Sequence, residues 1–240
     1  QTTDSKHGYR IYPNLARQMM LDRPNQLWVA DITYIHLIDE FVYLAVILDS
    51  FSRKVVGWEL DRTLASRLAI AALERATAQR RPRPGLVHHS DRGVQYACGE
   101  YVAILEKCGM VPSMSRPANP YDNASCESFM KTLKREEIYA NQYDNLEHLR
   151  TNIENFIDQY YNRQRLHSAL GYRSPEEFER QSECRSSAAD SRSATMRFFE
   201  NNENGENEIR ASTEVLGEGH SIAVPFPRPH PPSNQNYGED

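Results

Sequence analysis

Two neighbouring segments, residues 27–35 and 41–48, most strongly constrain the fold of this chain. Both are rich in β-branched and aromatic side chains, which favour strands. The second segment is almost continuously apolar, as is typical of a strand that is buried on both faces of its sheet. Because such a sheet is covered by other elements on both sides, the two segments predict a layered α/β domain.

The chain that follows alternates between strand-like and helix-like segments. Residues 54–60 come after a turn and predict a third strand, paired as an antiparallel hairpin. The later strands return through helical segments, and such crossovers favour parallel pairing. The order predicted after the third strand is helix, strand, helix, strand, helix and helix, over residues 65–79, 86–89, 98–108, 111–115, about 123–138 and about 146–161. The prediction is therefore a mixed five-stranded α/β sheet flanked by helices.

Composition divides the chain into three parts. Residues 1–22 are a polar lead-in, residues 23–181 contain the predicted elements, and residues 182–240 form an acidic tail rich in Asn and Pro. The tail has five Arg against ten Asp and Glu, whereas residues 1–181 contain 23 basic and 23 acidic residues. We expect the tail to be mostly disordered, because its apolar surface is too small to offset the entropy of ordering. Zero net charge in the first 181 residues does not exclude DNA binding, which depends on local basic patches.

Several classes of protein are excluded by the patterns that the sequence lacks. No stretch approaches the roughly 18 apolar residues that cross a bilayer, and no secretory signal opens the chain. Four cysteines without CxxC spacing indicate neither a disulfide scaffold nor a structural zinc site, and they fit a reducing cytosol. A phosphate-binding G-x-x-x-x-G-K-[ST] loop and a G-x-S-x-G nucleophile motif are also missing. The start at Gln1 rather than Met leads us to expect a missing upstream segment.

Three acidic residues are the candidates for catalysis. Asp31 lies inside an apolar strand, where a carboxylate is costly to bury unless it is paired or binds a metal. Asp91 follows the fourth strand after a gap of 59 residues, and Glu127 follows after a further gap of 35 residues, near the start of a helix. Such carboxylates can converge on Mg²⁺, and two ions would activate a nucleophile and stabilise the leaving oxygen of a phosphodiester. The alternatives are a buried ion pair for Asp31, a turn at Asp91 and a helix-dipole interaction for Glu127.

Basic residues close to Glu127 are candidates for DNA contact. Lys131 and Lys134 follow Glu127 by four and seven residues, which places all three on one face of a helix. The arrangement suits a phosphate next to a cation, and the alternative is a surface Glu–Lys pair worth only about 0.3 kcal/mol. Asn123 either orients substrate or caps its helix, and we expect the capping role.

Three further residues follow the last predicted helix. Arg163, Arg165 and His167 are placed either to contact backbone phosphates or to cap carbonyl groups at the end of that helix, and the sequence favours neither role.

The candidate residues stand in recognisable blocks. Residues 28–34, 89–96 and 121–129 resemble the catalytic blocks of bacterial insertion-sequence transposases of the insertion-sequence-three type, whose second reading frame encodes a retroviral-integrase-like core. The 35-residue gap before Glu127 matches the D,D(35)E spacing of that group, and Lys134 matches its basic position. A further block between Tyr161 and Pro175 resembles the one that closes the domain.

The resemblance implies a ribonuclease-H-like fold and DNA transposition by strand cleavage and strand transfer. In that group Asp31, Asp91 and Glu127 would hold two Mg²⁺ or Mn²⁺ ions. The implied partners are transposon-end and target DNA, further copies of the chain on that DNA, and a helix-turn-helix subunit from an upstream frame. The implied location is the bacterial cytoplasm, at the nucleoid and without a membrane. The alternative is a truncated, inactive remnant that binds DNA or a partner.

Overall fold

The computed structural model describes residues 7–116 and 123–184 of the chain. These residues lie in one compact unit, Gln1–Ser187, and a second unit, Ala188–Asp240, lies outside the described ranges. The tail beyond residue 184 lies outside the described ranges, so its expected disorder stays a prediction. Residues 117–122, which include Pro117 and Pro120, also lie outside them.

A five-stranded mixed sheet with the order β3-β2-β1-β4-β5 forms the centre of the domain. The strands are β1 (Leu27–His36), β2 (Phe41–Asp49), β3 (Val55–Asp61), β4 (Val87–Ser90) and β5 (Val111–Met114). The first three strands pair antiparallel, and β4 runs parallel to both β1 and β5. The predicted α/β class and strand directions are confirmed.

The pairing of β1 with β4 is short, and this exposes part of a central strand. β4 pairs with β1 only over Leu27 to Val29, whereas β2 pairs with β1 as far as His36. Within the described residues, β1 therefore has an unpaired edge from Ala30 onward on the side of β4. Asp31 lies at the start of this open edge.

Helices cover both faces of the sheet. They are α1 (Ser66–Arg80), α2 (Val94–Ala97), α3 (Gly99–Lys107), α4 (Ala124–Leu133), α5 (Leu146–Asn155) and α6 (175–184). One core cluster joins Trp28 and Ile47 to α1 and α3, and the other joins Val29 and Val46 to α4 and α5. This two-sided packing explains why β2 is apolar at almost every position. None of the described helices is both long and apolar enough to span a membrane.

Glycine is required where α1 comes closest to the sheet. A Cβ atom at Gly57 on β3 would lie 2.7 Å from the Cβ atom of Ala76 and would also meet the Ala72 carbonyl oxygen. The close approach of α1 to β3 thus depends on the absence of a side chain at this position.

The two long predicted helices are present, and each widens in its second half. α4 continues as a π-helical segment over Lys134–Ile138, and α5 continues in the same way over Phe156–Tyr161. The short helix α2 and the helix α6 were not predicted. α6 begins at Pro175, directly after Ser174, whose Oγ accepts a hydrogen bond from the Glu177 N–H at 3.3 Å. Ser followed by Pro is a common helix start, so the signal was present in the sequence.

Residues of the predicted lead-in contact the core. The backbone N–H of Leu15 donates to Ser113 Oγ at 2.9 Å, and Ala16, Met19 and Leu21 pack against the cluster under α4 and α5. The segment before β1 therefore belongs to the packed unit.

A buried ion pair fastens α6 to the end of α1. Arg80 donates from Nη1 and Nη2 to the two carboxylate oxygens of Glu179 at 2.8 and 2.7 Å. Ser52 Oγ donates to the same carboxylate at 2.7 Å. Helix α6, which extends three residues beyond the predicted boundary at 181, is thereby tied to the sheet domain.

The side chain of Asn162 pairs with the edge strand β3 in the way that the backbone of a neighbouring strand would. Its Oδ1 accepts from the Val55 N–H and its Nδ2 donates to the Val55 carbonyl oxygen, both at 3.0 Å, and the side chain is 4% exposed. The edge strand β3 thus obtains two main-chain-like hydrogen bonds from a residue 107 positions away.

We expect Asn162→Ala to lower the free energy of unfolding by about 2 kcal/mol, because it leaves two buried backbone groups of Val55 without partners. Chemical denaturation of the full chain measures this. The matched control is Asn155→Ala, at an exposed position of α5, which should change stability by less than about 0.5 kcal/mol. Equal effects of the two substitutions would contradict the bridging role.

Candidate active site

Asp31 is a carboxylate held in an unfavourable environment. It lies on β1, and its Oδ1 accepts a hydrogen bond from the Ile32 N–H at 2.9 Å. Burial, and then the negative charges of Asp91 and Glu127, raise its pKa from 3.8 to about 7, against the opposing effects of the Ile32 N–H and the Lys134 charge. The described ion pairs do not include Asp31, so the buried ion pair considered for it is not formed. Three carboxylates and one ammonium group therefore share one electrostatic neighbourhood.

Parallel pairing and helix packing bring the other two carboxylates to Asp31. Asp91 follows the carboxyl end of β4, the parallel neighbour of β1, and its Oδ1 accepts the Gly93 N–H at 2.8 Å. The turn role considered for Asp91 is thus real, and it leaves the second carboxylate oxygen out of that hydrogen bond. Glu127 lies in the first turn of α4, next to the fully buried Cys126, whose Sγ donates to the Val29 carbonyl at 3.4 Å. This contact seats the start of α4 on β1.

The three side chains fit a hard divalent cation in their chemistry. Within residues 7–116 and 123–184, no group of three or more His, Cys, Asp or Glu side chains is close enough together to hold a metal ion by itself. Mg²⁺, however, keeps several waters and binds through one or two carboxylates together with substrate phosphates. Burial is the largest cause of the raised pKa of Asp31, and the repulsion by Asp91 and Glu127 that adds to it is what a cation between the carboxylates would relieve. The donor set therefore suits an open site that a phosphate completes.

Asn123 does not cap α4 with its side chain, so the expected capping role is wrong. It occupies the N-cap position, but its backbone has φ −130° and ψ 29°, and its side chain makes no capping hydrogen bond. Its Nδ2 instead donates to the carbonyl oxygen of Ala30 at 3.1 Å, and its buried Oδ1 has no hydrogen-bond partner among the described residues. The amide thus connects the start of α4 to the residue before Asp31.

For the DNA cleavage that the resemblance implies, we expect Asn123→Ser to reduce the rate about tenfold, because misplacing a catalytic group by about 1 Å costs rates of this order or more. Serine is a good helix cap but is too short to reach Ala30, so the substitution separates the two roles. Activity and thermal unfolding should be measured together on the full chain. Unchanged activity would show that the Asn123–Ala30 hydrogen bond does not position the site.

Lys134 lies near enough to Asp31 for its charge to affect the pKa of that carboxylate, and Lys131 lies about one turn earlier, on α4. The Lys134 Nζ is 5.0 Å from the centre of the Tyr34 ring on β1, and its charge is one of the influences that lower the pKa of Asp31. Lys131 is exposed. The ammonium group of Lys134 is therefore at the site, as the spacing predicts.

Arg165 and His167 have structural partners, and neither is among the main influences on the pKa of Asp31. Arg165 donates to both carboxylate oxygens of Glu136 at 3.1 and 3.3 Å. Although partial burial opposes the effect, hydrogen bonds from Arg165, Arg135 and Tyr160 lower the pKa of Glu136 to about 2. His167 is 8% exposed and packs edge-on against Tyr161; burial, followed by the Arg165 and Arg53 charges, lowers its pKa to about 4. A neutral, buried imidazole is poorly suited to bind phosphate.

Arg163 is exposed and also has partners. It donates to Gln159 Oε1 at 3.1 Å and forms an ion pair with Glu176 at 3.2 Å. The side-chain hydrogen bonds described for Arg163 and Arg165 are thus made to other side chains and not to the carbonyl groups at the end of the helix.

Tyr96 is a residue of the site that the sequence analysis did not single out. Its side chain is 2% exposed, and its hydroxyl group has no hydrogen-bond partner among the described residues. Burial, then Tyr101, and then the charges of Asp31 and Asp91 raise its pKa. Its position in the block of residues 89–96 was the available signal.

Family models and relatives agree with this architecture. Two models of the integrase core domain match residues 22–120 and 108–175. The transposase for insertion sequence element IS904 of Lactococcus lactis is 42% identical over 186 residues, which cover 73% of this chain and 74% of that protein. Transposase InsF for insertion sequence IS3fB of Escherichia coli K12 is 39% identical over 176 residues, covering 73% of this chain and 61% of that protein. The chain thus spans about three quarters of the first relative and less than two thirds of the second.

Solved structures agree at the level of the fold. A chain of the simian T-cell lymphotropic virus intasome has a TM-score of 0.55 at 18% identity, covering 74% of this chain and 61% of that chain. The HTLV-2 integrase catalytic core in complex with magnesium has a TM-score of 0.50 at 16% identity, covering 65% and 97%. The sheet order, the placement of the carboxylates and the identity to the IS904 transposase lead to one conclusion: the chain belongs to the IS3-type transposases of bacterial insertion sequences, whose catalytic core has the integrase fold.

Proposed function

We propose that residues 23–181 catalyse DNA strand cleavage and strand transfer during transposition, with Asp31, Asp91 and Glu127 as the catalytic residues. The observation that carries the proposal is that carboxylates from the end of β4 and from α4 lie near enough to the buried Asp31 on β1 to add to the effect of burial and raise its pKa. Such clustering of like charges in a partly open site is typical of catalytic centres. The ion-paired carboxylates Glu136 and Glu179 show the opposite arrangement, in which a nearby arginine satisfies the charge.

The proposed cofactors are two Mg²⁺ or Mn²⁺ ions held by Asp31, Asp91 and Glu127. When bound, such ions activate the attacking hydroxyl and stabilise the departing oxygen of a phosphodiester. Asp31 must be ionised to act as a ligand, so near neutral pH it releases a proton to solvent when the site is filled. Asn123 keeps the start of α4 on β1, and Lys134 supplies a positive charge for the phosphate. Water as nucleophile gives cleavage, and a DNA 3′-hydroxyl gives strand transfer, with one phosphorus–oxygen bond exchanged for another in each case.

We also propose the partners that this reaction requires. They are the transposon ends, the target DNA and further copies of this chain on that DNA, with end recognition by an upstream helix-turn-helix subunit in a bacterial nucleoid. Direct DNA contact is proposed for Lys134 and Lys131, and more weakly for Asn123, Arg163, Arg165 and His167. The burial of His167 and the hydrogen bonds from Arg165 to Glu136 argue for a structural role of these two residues.

A branched DNA that mimics the product of strand transfer tests the function, because its resolution uses the same carboxylates and does not require recognition of two ends. The full chain should resolve this DNA in Mg²⁺ or Mn²⁺ and not in a chelator. Hydrolysis without joining would indicate a general nuclease. Binding of the DNA without any turnover in either metal would favour the inactive remnant.

A further inference from the structure

A cleft opens at the end of the sheet opposite the carboxylates. It has a volume of about 600 Å³ and is formed mainly by residues 23–26, which lead into β1, and residues 81–86, which lead into β4. Because β1 and β4 are parallel, these two segments meet at the same edge of the sheet. Leu86 stands five positions before Asp91, and a strand rises about 3.3 Å per residue, so this lining residue lies about 16 Å from Asp91 and the arginines lie farther away.

The cleft is strongly positive. Its lining contains Arg23, Arg81 and Arg83 and no Asp or Glu. Arg81 and Arg83 are exposed, and neither forms an ion pair with a described residue. Arg23 has only its neighbour Asp22, and the two side chains are 70% and 74% exposed, so this pair is weak. Three guanidinium groups thus face one space without a buried counter-charge, although residues 1–181 as a whole are neutral.

The backbone that carries these arginines is held rigidly. Pro82 and Pro84 restrict the segment, and the Gly85 N–H donates to the Gly109 carbonyl at 2.8 Å. Arg81 has φ +43°, a left-handed conformation that glycine adopts far more easily at the end of a helix. Because Arg81 directly follows the last residue of α1, no flexible segment separates this lining residue from the helix. The restricted backbone limits the entropy that this segment loses when it binds a ligand.

We infer that this arginine cleft, defined by Arg23, Arg81 and Arg83, binds the phosphate backbone of DNA outside the active site. Guanidinium groups bind phosphate through paired N–H donors, and this geometry matches an anion that repeats along a strand. One strand of duplex DNA carries a phosphate about every 3.4 Å along the axis, so 16 Å corresponds to about five base pairs. β4 itself is buried, so DNA that contacts both the carboxylates and the cleft has to pass around the outside of the domain, over more than these five base pairs. The inference rests on the proposed function, because it takes DNA as the substrate.

The salt dependence of DNA binding tests the cleft without involving catalysis. Binding of the full chain to a duplex of about 20 base pairs is measured in chelator over a range of salt concentrations. For Arg81→Gln combined with Arg83→Gln, the slope of log affinity against log salt should fall by about 1.8, since each phosphate contact contributes about 0.9. The affinity near 0.1 M salt should fall by about tenfold or more.

Two controls separate the cleft from general effects of charge and folding. Arg62→Gln combined with Arg67→Gln removes the same charge from exposed, ion-paired side chains, 55% and 69% exposed, and should leave the slope almost unchanged. Arg81→Lys combined with Arg83→Lys retains the charge and should keep most of the slope. Equal slopes for the cleft variant and the Arg62/Arg67 control would overturn the inference.

The outcome also distinguishes the cleft from the proposed function. If the wild type resolves branched DNA but the cleft variant keeps the full slope, the cleft inference is wrong and the function stands. If the slope falls but no metal supports turnover, the cleft stands and the catalytic proposal fails. If the wild type shows no salt-dependent binding of DNA, both are wrong.

Discussion

The Asp91→Asn variant should lose metal-dependent cleavage and joining of DNA by about a thousandfold or more, because it removes a charged ligand from the centre that stabilises the reacting phosphate. Asparagine has nearly the same shape, and its Oδ1 can still accept the Gly93 N–H, so the turn after β4 should persist. The expected result is therefore a folded protein without turnover. Rates of strand joining on the branched DNA, in Mg²⁺ and in Mn²⁺, measure the loss.

Asp39→Asn provides the matched control for this experiment. Asp39 is an exposed aspartate just beyond β1, so its substitution makes the same chemical change outside the site. It should keep at least half of the activity. An Asp91→Asn variant that cleaves as fast as the Asp39→Asn control would remove Asp91 from the catalytic centre.

The Asp31→Asn variant should be inactive and, in the absence of divalent cations, more stable than the wild type. The folded protein holds the proton of Asp31 up to a pKa of about 7, whereas the unfolded chain releases it near 3.8. Ionised Asp31 thus penalises the folded state above pH 7, the penalty grows as pH rises from about 4 to 7, and it is absent below that range. The full difference corresponds to about 4 kcal/mol at most. Asparagine carries no charge at any pH and avoids this penalty.

Chemical denaturation in chelator at pH 5 and pH 8 measures the effect as the difference between variant and wild type, which cancels the titration of other groups. The stabilisation by Asn should be about 2 kcal/mol at pH 5 and should reach up to about 4 kcal/mol at pH 8. Mg²⁺ should raise the melting temperature of the wild type at pH 8 and have much less effect on the variant. A stability difference independent of pH would show that Asp31 ionises normally in the folded protein.

Local patterns predicted the five strands and the helices α1, α3, α4 and α5, but not α2 and α6, and they singled out the catalytic candidates. The apolar run at residues 41–48 predicted a strand covered on both faces, and the sheet has β2 there with helices on each side. Asp31 stood out because a carboxylate inside an apolar strand needs a compensating partner. Strand and helix periods depend on neighbouring residues, so a single sequence contains them.

The same reasoning failed where a polar side chain chooses between distant partners. Asn123 had the composition of a helix cap, but it donates to Ala30, 93 positions away. Arg165 was placed as a phosphate or carbonyl ligand, but Glu136 lies on the π-helical turn that faces it. In each case the residue type was correct for a hydrogen bond, and only the packing of α4 and α5 on the sheet determined the partner.

The sequence by itself therefore determined the order of strands and helices, the mixed direction of the sheet and the identity of three acidic residues with suitable spacing. Only the tertiary structure decided that the pairing of β1 and β4 ends before Asp31, that Asn162 completes β3, and that residues 23–26 and 81–86 form one cleft without an acidic residue. The physical reason is the distance along the chain over which each property is determined. Burial periodicity is recorded along the chain, whereas charge pairing and open edges depend on which segments meet in space.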